Sequence, residues 1–168
     1  MKIYSTSIIN GHLEDRFGNR GSQFLNGKKA SRSFQLSWDN LPKGTKSLAL
    51  IFIDYDAIPV CGFSWIHWTA ANIDPNIKEL PENASIDMDL LQGLTSWYSK
   101  FLPNDWRLSK EEAIGYGGCA PPDKPHQYTI KLYPLSKVLD LKSGFYANEL
   151  LKAMDGYILG KAKITAIY

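Results

Sequence analysis

A chain of 168 residues buries roughly two-thirds of its unfolded surface on folding, enough for a real core, and residues 1–168 read as a single domain. Its 19 basic and 17 acidic side chains leave a formal charge of only +2, which argues against a phosphate-tracking nucleic-acid surface or a polybasic membrane patch. With 44% hydrophobic residues and no run of 18 apolar ones, the composition excludes disorder and disfavours stable membrane insertion.

Residues 1–13 carry one Lys and no apolar stretch of signal-peptide length, so a cytoplasmic location is expected. Ser33 to Trp38 alternates polar and apolar residues with the two-residue period of a strand. Pro42-Lys43-Gly44-Thr45 then supplies turn chemistry, which predicts either a hairpin or a crossing between sheets. Ser47 to Ile53 is apolar at both parities and reads as a strand buried on both faces, ending at Asp54-Tyr55-Asp56. Phe63 to Ile73, rich in aromatic and β-branched residues and closed by Asp74-Pro75, is a further strand. Pro81 to Gly117 is the longest stretch without periodicity, relieved only by a short helical pattern over Lys110 to Ile114. Gln127 to Leu135 alternates again, with His126, Tyr128, Ile130 and Leu132 on one parity. Phe145 to Met154 reads as a helix with Leu150, Leu151 and Met154 as its apolar stripe and Gly156 as its stop. Tyr157 to Tyr168 is strand-like around a break at Gly160. The fold class expected is mainly β, an antiparallel β-sandwich with a few peripheral helices, one of them near the C-terminus.

The candidate chemistry gathers in three places. His67 lies inside the aromatic strand Trp65-Ile66-His67-Trp68, where its polarity must be satisfied by a partner; a hydrogen-bonded core histidine and a working group both fit. Asp54 and Asp56 share parity with Leu48, Leu50 and Phe52, so their carboxylates either continue the inward row or organise a turn before Pro59. Gly115 to Pro125 forms a loop stiffened by three prolines, and its glycines let backbone N–H groups approach an anion. His126 heads the strand whose inward face runs from polar to apolar, as at the rim of a cavity. Cys61 and Cys119 lack the C-x-x-C spacing of a zinc or redox site and read as free thiols. Neither G-x-S-x-G nor H-E-x-x-H nor either Gly-rich nucleotide motif is present, so no catalytic residue is assigned.

Asp54-Tyr55-Asp56-Ala57-Ile58-Pro59, His67-Trp68 with Asn72-Ile73, and Gly117-Gly118-Cys119-Ala120-Pro121-Pro122-Asp123-Lys124-Pro125-His126-Gln127-Tyr128 together resemble the phosphatidylethanolamine-binding protein family, in its bacterial Raf-kinase-inhibitor-like branch. The resemblance extends over nearly the whole chain and is weakest from Asn83 to Ile114. It implies a sandwich with a small anion pocket lined by Asp54, His67, His126 and Tyr128, with Gly118, Pro121 and Pro122 in its wall and Asp56 beside it. Tyr55 stands where the family has Pro, Cys119 and Ala120 where it has Pro and Cys, and Gln127 where it has Arg, which removes a positive charge from the mouth. The partner implied is a small anion such as phosphate, a phospholipid headgroup or a carboxylate, with no cofactor, no metal and no nucleic acid. Regulation of a kinase or protease, and a homodimer, stay open.

Convergent donors from imidazole, phenol and backbone make an anion hole, and Asp54 fits there as the acceptor that fixes an imidazole tautomer and holds that ring protonated. On this reading phosphate affinity falls as pH rises through the histidine pKa. The rival reading makes Asp54, His67 and His126 a two-histidine, one-carboxylate metal set in a metal-dependent enzyme.

Overall fold

The structure is a computed structural model describing residues 1–168. In chain order the first strands are β1 (Lys2–Tyr4), β2 (Ile8–Ile9), β3 (His12–Leu13), β4 (Phe24–Leu25), β5 (Lys29–Ala30), β6 (Leu36–Asp39) and β7 (Ser47–Asp54). Helix α1 (Ile58–Cys61) leads into β8 (Trp65–Ile73) and β9 (Glu79–Leu80), then α2 (Ala84–Asp87) and β10 (Leu91–Gln92). The chain closes with β11 (Gln127–Leu135), α3 (Ala147–Met154) and β12 (Ala162–Ile167). A seven-stranded sheet runs β10-β8-β7-β11-β12-β3-β2, a three-stranded sheet runs β1-β6-β9, and β4-β5 form a separate hairpin.

The alternation read in the sequence places the core. Leu48, Leu50 and Phe52 of β7 face Ile3, Leu36, Trp38 and Leu80 of the small sheet, while Ala49, Ile51 and Ile53 face Leu150 and Met154 of α3. All eight residues of β7 are therefore buried, the pattern a strand shows when both faces are covered. At about 1.5–3 kcal/mol for each large side chain removed from water, this central strand is a principal source of stability. Phe34 ties the two sheets together through edge-to-face contacts with Phe52, Trp68 and Tyr116 at centroid separations of 5.0, 5.9 and 5.8 Å.

The fold is mainly β, as expected, with three helices including one near the C-terminus. The turn at Pro42 to Thr45, with Gly44 at φ +87°, carries the chain from the small sheet in β6 to the large sheet in β7, so the link is a crossing rather than a hairpin. The large sheet is antiparallel except where β12 runs parallel to β3. Lys110 to Ile114 makes a single turn and no helix: Ser109 and Glu112 cap each other, but Gly115 at φ +88° turns the chain away one turn later. In α3 the buried stripe is Leu150 and Met154; Leu151 faces solvent. Gly156, at φ +77°, follows the helix in the left-handed conformation expected of a stop.

Candidate functional site

Strand pairing brings the candidate residues together. Asp54 at the end of β7 is directly opposite Tyr128 of β11 in an eight-pair antiparallel register. His126, two residues before Tyr128, is held by reciprocal backbone hydrogen bonds with Tyr168, 3.0 Å and 3.1 Å long. On the other side of β7 the register with β8 moves from Phe52–Trp68 to Ile53–Ile66, which leaves His67 as the extra residue of a bulge. Strict alternation would send His67 and Trp68 to opposite faces. The bulge turns both toward the sandwich interior, with the imidazole beside the rings of Phe52 and Tyr128 at 5.3 and 5.2 Å and the indole in the core.

Their surroundings push the two imidazoles in opposite electrostatic directions. His67 donates Nδ1–H to the Gly117 carbonyl at 2.7 Å, and its own carbonyl accepts the Gly117 N–H at 2.7 Å. Burial drives its pKa down to about 4, so at neutral pH the ring is uncharged and Nε2 carries a lone pair. His126 lies between two carboxylates: Nδ1 is 2.7 Å from Asp54 Oδ2 and Nε2 is 2.8 Å from Asp123 Oδ1. Burial opposes its charge, but the bonds to Asp54 and Asp123 prevail and raise its pKa. Asp54 acts twice, because Oδ1 also accepts the N–H groups of Asp56 and Ala57 at 2.8 and 3.2 Å. The turn-making and the imidazole-orienting expectations for this residue are therefore both met. That turn also delivers the chain into α1, an element the sequence did not suggest.

These groups sit in a cleft of about 530 Å³, a size typical of small-molecule sites. Asp54, His67, His126, Tyr128, Pro121 and Pro122 line it. Gly118 and Asp56 do not. Gly118 packs behind the wall, its N–H bonded to the Ala30 carbonyl at 2.7 Å, while Asp56 joins two strand ends by accepting the Gln127 N–H at 2.8 Å. The loop therefore offers fewer free donors than expected, since the N–H groups of Gly117 and Gly118 are both committed to backbone carbonyls. Two donors stay open on lining residues: the Trp97 indole N–H, and the Tyr128 hydroxyl, which is buried and has no partner. Burial raises the pKa of that phenol, so it stays a neutral donor.

The rest of the cleft is apolar. Trp65, Trp97, Leu102 and Trp106 form one side, with Trp97 edge-on to Trp65 at 5.7 Å and stacked on Trp106 at 6.4 Å. Phe24, Val60 and the half-buried Lys28 complete the mouth. Sequence reasoning missed Trp65, Phe24, Val60 and Lys28 as lining. Cys61 is an exposed thiol at the mouth, and Cys119 is buried with its pKa raised by that burial, the opposite of an activated nucleophile. Asp54, His126 and Asp123 form a hydrogen-bonded array in which both His126 nitrogens are engaged by carboxylates, while His67 bonds to the Gly117 carbonyl. No three His, Cys, Asp or Glu side chains converge as a metal ligand set.

The cleft lies at one end of the central strands of the large sheet. The family model for phosphatidylethanolamine-binding protein matches residues 5–168, and the chain belongs to that family. It is 44% identical over 156 residues to the uncharacterized protein YxkA of Bacillus subtilis, covering 91% of this chain and 86% of that protein. A UPF0098 protein of Methanothermobacter thermautotrophicus is 39% identical over 133 residues, 79% of this chain and 80% of the relative. The crystal structure of the phosphatidylethanolamine-binding protein homolog CT736 of Chlamydia trachomatis superposes with a TM-score of 0.79 at 30% identity, covering 99% of this chain and 95% of that one. Escherichia coli YbcL, described as a member of the mammalian PEBP family, gives a TM-score of 0.75 at 26% identity over 99% and 96% of the two chains.

Proposed function

We propose that this protein binds a small anionic head in the Asp54–His67–His126–Tyr128 cleft, with any apolar remainder of the ligand lying along the Trp65–Trp97–Trp106 wall, and that it does so without chemical turnover. The observation that carries this reading is the buried Tyr128 hydroxyl, which has no hydrogen-bond partner and belongs to a residue lining the cleft alongside Trp97, whose indole N–H is also open. An unsatisfied buried donor costs about 1–3 kcal/mol, a cost that a ligand oxygen removes. Lys28 at the mouth makes no ion pair and adds attraction for negative charge. The His67 Nε2 lone pair is an acceptor, and it suits a head that retains one proton, such as a singly protonated phosphate.

Calorimetric titration with phosphoethanolamine and with inorganic phosphate tests the proposal. One-to-one binding with a dissociation constant at or below about 1 mM is expected, and no heat from either compound overturns it. In the same experiment, stoichiometric transition metal in protein purified without chelator, together with loss of binding on chelation, would favour the metal-enzyme reading instead.

A further inference from the structure

The imidazolium that should attract an anion is already occupied. His126 Nε2–H points to Asp123 Oδ1 at 2.8 Å, and its other N–H is taken by Asp54. Two carboxylates around one cation leave this corner of the cleft with an excess of negative charge, which opposes the entry of any anion. The two acids are not equivalent. Asp54 is 3% exposed, stands at the end of a central strand and accepts three hydrogen bonds, two of them from backbone N–H groups. The Asp123 side chain is 47% exposed, sits on the loop between Pro122 and Pro125, and has His126 as its only side-chain partner. Its neighbours Pro121 and Pro122 line the cleft.

We propose that Asp123 is a specificity-determining residue: its carboxylate is a built-in competitor at His126 Nε2–H, displaced by a phosphoryl head but not by a simple carboxylate. The proposal rests on the anion-head reading given above. A free monocarboxylate offers the imidazolium the same bond that Asp123 already makes, and Asp123, tethered three residues away, holds the advantage of a high effective concentration. A phosphoryl group carries three terminal oxygens and up to two charges. One oxygen replaces Asp123 on His126 while another takes the open Tyr128 O–H, a bond that Asp123 does not make. The displaced carboxylate moves into solvent, where it is already half exposed.

The test is calorimetric titration of wild type, Asp123→Asn and Asp123→Ala with inorganic phosphate and with acetate at about pH 6, below the ordinary pKa of a histidine. Both substitutions fall on a half-exposed side chain, and Asn keeps its size and an acceptor oxygen while losing the charge. Phosphate affinity is expected to rise about 3- to 10-fold in the variants, and acetate, a poor ligand of the wild type, to gain more than phosphate does. A loss of structural support would lower affinity, so the gain separates competition from support. In wild type, the His126 Nε2 nitrogen resonance should shift as phosphate replaces Asp123. Unchanged or weaker phosphate binding in both variants, or phosphate binding that leaves this resonance in place, would overturn the role of Asp123 while leaving the anion-head reading intact. Failure of all three proteins to bind phosphate would remove that reading and this one with it.

Discussion

His67 Nδ1 lies 2.7 Å from the carbonyl oxygen of Gly117. A carbonyl only accepts, so the ring proton is on Nδ1 and the unprotonated nitrogen is Nε2. Nitrogen NMR at pH 7 should show His67 as the neutral Nδ1–H tautomer, still unprotonated at pH 5, in keeping with a pKa near 4. The folded pKa lies below the ordinary 6.5, so the unfolded chain binds more protons between these values. The His67 contribution to stability is complete above pH 6.5 and declines as pH falls toward 4, visible as a falling urea midpoint that a His67→Gln variant does not share.

His126 behaves with the opposite sign. Its pKa is raised above 6.5 by Asp54 and Asp123 against the effect of burial, so its stabilising charge is complete below pH 6.5 and is lost as pH rises through the elevated value. Proton-detected titration should find this ring doubly protonated at pH 6.5, with His67 neutral in the same sample.

The Tyr128 hydroxyl bonds to no protein atom, and its removal separates binding from folding. Tyr128→Phe should unfold within about 1 kcal/mol of wild type, or slightly later, since no hydrogen bond is lost. Its affinity for phosphoethanolamine should drop about tenfold, the value of one hydrogen bond to a charged group.

Gly118 matters through space rather than through its N–H. A Cβ there would lie 2.5 Å from the Phe17 carbonyl oxygen and 2.8 Å from the Ala30 Cβ, so the loop backbone must move to admit it. Gly118→Ala should cost about 1–3 kcal/mol, seen as a drop in Tm of roughly 3–10 °C.

Much of this molecule was legible in the residues. The two-parity burial of Ser47 to Asp54, the extent of Gln127 to Leu135 and the helix ending before Gly156 all follow from periodicity and glycine placement, because they depend on local geometry. The convergence of Asp54, His67, His126 and Tyr128 followed from motif resemblance and is realised by strand register. The bulge at His67 was not legible: no glycine or proline marks it, and it exists only as a mismatch between two paired strands. The commitment of the Gly117 and Gly118 N–H groups and the capture of His126 by Asp123 were equally hidden, since each depends on a partner's position in space. The aromatic mouth escaped because Trp65 and Trp97 are brought together by an excursion with no sequence period.

The most direct test is a map of side-chain chemical shifts during titration with phosphoethanolamine. Binding of the head in the cleft predicts saturable shifts largest at Tyr128, the Trp97 indole N–H and His67 Nε2, weakened in Tyr128→Phe. Shifts confined to another face of the sandwich, or none at all at millimolar ligand, would contradict it.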